Sequence, residues 1–224
     1  MRKVWLAAAG VLLLTGTVAV LVWPSSDRPT RKPLSTLGHL LPAPAPGRPG
    51  PEVIPIPDGP LLAPAASQAT PTHPVDGIRC QRNVPLLFHL HVHLTVFVNG
   101  EQRRLPAGIG IWPKLERQSG KFGEFKLTQG ECLSWIITRY EDGLLHVEAP
   151  IVRTFVLGDL FTVWGQPLSR DTVGPAEGPV TAIVDGTVWT GDPRDIPLHR
   201  HGQIQLEVGT PLVAPQTVEF PGAF

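Results

Sequence analysis

Sulfur is scarce in this chain: its 224 residues hold two cysteines and one methionine. A soft Cu(I) centre, which wants thiolate or thioether ligands, is disfavoured by that count. An excess of one charge is also missing. Lys+Arg and Asp+Glu stand at 19 each, so no global field exists to draw in nucleic acid or an acidic membrane surface, and no nucleic-acid partner is expected. Common enzyme signatures are absent: there is no G-x-S-x-G elbow, no P-loop, no H-E-x-x-H and no C-x-x-C pair. Ser134 in "GECLSW" has no evident base beside it, and Asp192, Arg194 and Asp195 in "TGDPRDIP" are better explained by a rigid turn with an internal Arg-carboxylate pair.

What is plentiful is unevenly spread. With 42% apolar residues the chain can bury a core, but 14 of its 26 prolines fall between Pro24 and Pro74, leaving one domain of roughly 150 residues. Before the prolines, the twenty residues Val4 to Trp23 carry no charge and as a helix would span roughly 30 Å, the thickness of a bilayer core. The bulky Val20, Val22 and Trp23 fit a cleavage site poorly, so an uncleaved membrane anchor over 1–23 is expected, with a cleaved signal peptide as the alternative. No cysteine follows the run, which excludes a lipoprotein anchor. Arg2 and Lys3 before it face Arg28, Arg31 and Lys32 after it, so charge alone does not orient it. Residues 24–75, with phrases such as "LPAPAPGRPGP", predict a proline-rich, disordered, semi-rigid linker, because proline removes donors and holds φ near the polyproline value.

Residues 76–224 read as an extracytoplasmic, mainly β domain of α+β class. Phe88, Leu90, Val92, Leu94, Val96 and Val98 alternate with His89, His91, His93, Thr95 and Phe97, which predicts a half-buried strand. Asn99-Gly100 predicts a tight hairpin, "CLSWIITRY-EDG-LLHVEAP" a second and "VTAIV-DG-TVW" a third. In "TFVLGDLFTVWG" the spacing of Leu157, Leu160, Phe161 and Trp164 predicts one short amphipathic helix, with Gly165 where a C-terminal cap belongs. "QIQLEV" supplies a final strand of a mainly antiparallel sheet. Cys80 and Cys132 read as a disulfide, with free buried thiols as the alternative; a disulfide requires an oxidising compartment and would restrict the unfolded chain by roughly 4 kcal/mol in the entropic account.

Six of the eight histidines lie in this domain in three clusters: His89, His91 and His93; His146 beside Glu148; and His199 with His201. Neighbours two apart on a strand stand near 6.5 to 7 Å from one another, so three from one strand strain to share one ion and a partner must come from elsewhere. His89, His91, His93, His146, His199 and His201 are therefore candidate ligands for Zn(II), Cu(II) or Ni(II). A polar or pH-responsive surface, and a catalytic histidine paired with a carboxylate, are the competing readings.

The phrases "HLHVHLTVFVNG", "LPAGIGI", "HVEAP…RTFVLGDLFTVWGQPLS" and "GDPRDIPL…QIQLEVGTP" together resemble an uncharacterised family of extracytoplasmic bacterial domains, over most of residues 80–221. The resemblance implies fold and location rather than an activity. It also implies W-L-H-T-H where this chain has Trp135, Ile136, Ile137, Thr138 and Arg139, so a metal site there would be depleted at Ile137 and Arg139. The resulting expectation is a single-pass membrane protein, held in the cell membrane through residues 4–23. Its domain outside the cytoplasm would act as a binding or structural module, with divalent metal as the sharper reading and a histidine-dependent extracytoplasmic enzyme as the alternative.

Overall fold

A computed structural model describes residues 30–65, 74–82, 85–112 and 132–222. Its centre is an eight-stranded sheet built from β1 (Arg31–Pro33), β2 (Phe88–Val98), β3 (Glu101–Arg103), β4 (Ile136–Thr138), β5 (Leu144–Ala149), β6 (Val180–Val184), β7 (Thr187–Trp189) and β8 (Gly202–Val208). The strands run in the order β1-β7-β6-β8-β2-β5-β4, with β3 paired to the end of β2. β2 is the spine: it pairs antiparallel with β5 and β3 along one edge and parallel with β8 along the other.

Local sequence explains the hairpins. Asn99 and Gly100 take φ of 52° and 78° between β2 and β3, and Asp185 and Gly186 take 49° and 74° between β6 and β7, the positive values that a two-residue turn demands. The helix α1 (Leu157–Trp164) forms where the spacing places it. Asp159 accepts the Val156 N–H at 3.0 Å at its start, and Gly165, at φ 73° and ψ 26°, donates to the Phe161 and Thr162 carbonyls at its end. Leu157, Leu160, Phe161 and Trp164 are wholly buried. They share one core with Leu90, Val92, Leu94 and Val96 of β2 and with Leu145, Val147, Ile204 and Leu206 of the adjoining strands β5 and β8. Cys80 and Cys132 form a disulfide, with Cα atoms 5.2 Å apart, and no described cysteine is free.

Three expectations are corrected. The membrane-spanning helix expected over residues 4–23 lies outside the described residues; among those described, no helix is long and apolar enough to cross a membrane, α1 having only eight residues. The single-pass membrane placement therefore has no support in the fold and is withdrawn. The second correction concerns the linker: of its described residues, 30–65 form an ordered arm with short strands of its own, Arg48–Pro49 paired to Pro55–Ile56, and with Ile54 and Ile56 almost wholly buried. Proline prevents this stretch from laddering on its own, but it does not prevent the few apolar residues between prolines from docking. Arg104 and Leu62 tie the arm to the end of β3 through backbone bonds to the Pro60 and Arg104 carbonyls, and Gly59 sits so close to the Gln102 carbonyl that a Cβ there would overlap it.

Third, β2 is not half-buried. His91, His93, Thr95 and Phe97 are each at most 4% exposed, because the arm and the C-terminal segment cover that face of the sheet. Gln203, Gln205 and Glu207 of β8 hold the C-terminal segment by its backbone: Val218, Gln216 and Val213 donate N–H groups to them, and the Val213 and Val218 carbonyls accept from Gln205 and Gln203. The mainly β body with one helix remains compatible with the α+β class.

Candidate metal centre

Register creates the site. β2 and β5 pair so that His91 stands directly opposite His146 and His89 opposite Glu148, all on the arm-covered face. His91 Nε2 lies 3.0 Å from His146 Nδ1, and the two rings meet edge to face with centroids 4.7 Å apart. His89 packs edge to face on His91 at 4.6 Å. One ligand atom from each of His89, His91 and His146 falls within 4.8 Å of the other two. A tetrahedral ion with nitrogen ligands at about 2.0–2.1 Å holds those nitrogens roughly 3.3 Å apart, so His91 and His146 already stand near that spacing and a separation as wide as 4.8 Å would have to close around an ion.

Carboxylates complete a ring around the imidazoles. His146 Nε2 is 3.1 Å from Glu52 Oε2, a residue of the arm. Glu52 Oε1 is 3.7 Å from the Arg139 guanidinium, which donates to Glu148 Oε1 at 2.9 Å, and Glu148 Oε1 lies 3.9 Å from His89 Nε2. An ionised carboxylate only accepts, so Glu52 fixes the His146 proton on Nε2 and turns the Nδ1 lone pair toward His91. In this arrangement His91 donates its Nε2–H to His146; an ion taking both lone pairs would replace that shared proton, His91 carrying its own on Nδ1 instead.

Burial, helped by the neighbouring His146 and His89 and by Arg139 and Arg200, lowers His91 to about 3, so at neutral pH it is an uncharged ring with a lone pair to give. His89, half-exposed, is the solvent-facing member of the group, beside the buried pair His91 and His146.

The remaining sequence candidates lie elsewhere. His93 points to the same face but is committed: its Nε2–H donates to the Asp142 carbonyl at 2.9 Å, and its Nδ1 accepts from Thr95 at 3.3 Å. Burial lowers it to about 4, the bond to Asp142 opposing the shift. His199 pairs with Asp185 at 2.9 Å and His201 stacks on Phe220 at 4.6 Å; neither belongs to the histidine group, although the His201 backbone N–H donates to the His91 carbonyl. In the "GDPRDIP" turn, Asp192 caps the Arg194 backbone N–H while the guanidinium reaches Thr162, so the expected turn is present and the Arg-carboxylate pair is replaced by a cap.

Two members of the ring are not marked as site residues by any sequence pattern. Glu52 lies in the stretch read as linker, 94 residues from His146, and no periodicity connects them. Arg139 is visible in the sequence only as a departure from a motif. Comparison of the chain with protein-family models, curated proteins and solved structures returns no match.

Proposed function

We propose that this protein is a divalent-metal-binding module whose ligands are His89, His91 and His146. The observation that carries this is the meeting of three imidazoles from two strands within 4.8 Å. Their chemistry suits Zn(II) or Cu(II), and a donor set without sulfur disfavours Cu(I). Three protein nitrogens leave one tetrahedral position for water or an outside ligand. Glu52 behind His146 supplies the carboxylate-histidine support typical of such centres. The Cys80–Cys132 disulfide supports an oxidising compartment as the place where the module works.

The test is calorimetric titration of the purified full-length chain with Zn(II) and Cu(II), beside the variants H91A/H146A and H199A. The expected result is one ion per chain for the parent, none for the double variant and unchanged binding for H199A, whose ring lies apart from the group. No heat with either ion in the parent overturns the proposal.

A further inference from the structure

The proline-rich arm contributes Glu52 to the histidine ring, although the rest of the centre comes from the sheet around β2 and β5. Glu52 is only lightly exposed, its two oxygens being divided between His146 Nε2 at 3.1 Å and Arg139 at 3.7 Å. Around it the arm is anchored by Ile54 and Ile56, both almost wholly buried, and by a turn in which Gly50 donates to the Ile54 carbonyl at 2.8 Å. If this stretch lifts away, His146 loses the acceptor that holds its proton on Nε2, and the ring becomes able to present either nitrogen.

We propose that the arm is part of the metal centre: Glu52 is a positioning residue that holds His146 for a divalent cation, so that ion binding and arm docking strengthen each other. This rests on the metal reading above. The cation's charge adds a second source of coupling. Glu52 and Glu148 face Arg139, with Arg200 also acting on His91, so a docked Glu52 offsets cation charge that an undocked one leaves uncompensated. Reciprocity then follows from linkage: whatever factor arm docking adds to cation affinity, the cation adds to arm docking.

The experiment uses the full-length chain, with Zn(II) as the probe, and two readouts. Calorimetry compares the parent with E52A and E52Q. Removing a carboxylate that supports a ligand histidine typically weakens affinity about 10- to 100-fold, which is the loss expected for E52A; E52Q, which keeps an oxygen to accept the His146 proton but not the charge, is expected to fall between. Hydrogen exchange of residues 46–57 in the parent, which needs no variant, is expected to slow by a similar factor when Zn(II) saturates the protein.

The outcomes separate the two proposals. A parent that takes up no Zn(II) overturns the metal reading and this inference with it. A parent that binds Zn(II), with E52A within threefold of it and exchange of the arm unchanged, leaves the metal centre standing and overturns the role of the arm. Weakened binding in E52A without slowed exchange in the parent also overturns the linkage, since Glu52 would then act on the ion alone.

Discussion

The two faces of β2 are both buried, but by different means. On one side Leu90, Val92, Leu94 and Val96 meet α1 and the neighbouring strands in an apolar core, where burial itself is the stabilising term. On the other, His91, His93 and Thr95 are buried beneath an arm and a tail that form little regular structure, and each polar group must find a partner to offset its lost water. His93 finds the Asp142 carbonyl, and Gln203 and Gln205 find tail backbone. One face is held by shape and area, the other by pairing. A fold tolerates the second kind of burial where something is gained by a dry, fixed set of polar groups, and the histidine ring lies on that face.

The sharpest way to break this comparison is to cut equally into both covers. Phe161→Ala removes a wholly buried ring from the apolar side and is expected to cost about 3–5 kcal/mol in urea unfolding. Ile54→Ala removes a wholly buried side chain of the arm and is expected to cost about 2–4 kcal/mol. A loss below about 0.5 kcal/mol for the second would mean that the arm lies on the sheet without being part of its core, since exposed sites cost no more than that.

Much of the apolar face was legible in the sequence, because its signals are local. The alternation from Phe88 to Val98, Asn99-Gly100, Asp185-Gly186, and the Leu157 to Gly165 spacing each depend on residues a few positions apart, and each element is present where expected. The polar face was hidden for the opposite reason. A histidine strand looks solvated until something covers it, and the cover is anchored by Ile54 and Ile56, set among prolines too sparsely to show a period. The parallel pairing of β2 with β8 is likewise a long-range choice; alternation in "QIQLEV" fixes which residues face which way but not the neighbour. His146 was legible as a candidate and its partnership with His91 was not, because register across β2 and β5 decides it.

Asp142 is the carboxyl on the polar face that pairing has not fully served. It is almost wholly buried; Oδ1 accepts the Leu144 N–H at 3.0 Å, while Oδ2 has no hydrogen-bond partner among the described residues. Burial, with Glu52 adding to it and the Leu144 bond opposing, pushes this carboxyl up to about 7 from 3.8. Between those values the folded chain holds a proton that the unfolded chain has released, so stability falls as pH rises through the window and levels off above about 7. Asp142→Asn keeps an oxygen for Leu144 and removes the titration. It is expected to gain about 1–3 kcal/mol over the parent at about pH 8 and nothing at about pH 4, read from urea curves at both. Parallel pH dependence in the two proteins would show that Asp142 is ionised without cost.

The smallest expected effect tests whether the ring is built for a cation or merely accommodates one. Arg139, less buried than its partners, carries the positive charge that bridges Glu52 and Glu148. If a divalent ion enters beside it, the arginine is a competitor: it repels the ion and occupies both carboxylates. Arg139→Gln should then tighten Zn(II) binding by about fivefold, roughly 1 kcal/mol, the scale of a partly solvated charge interaction. The gain should shrink as salt is raised, because a half-exposed charge is screened. If instead affinity falls, the guanidinium is needed to hold Glu52 and Glu148 in place, and the ring is an ion-pair network first, with its histidines positioned by the same bonds.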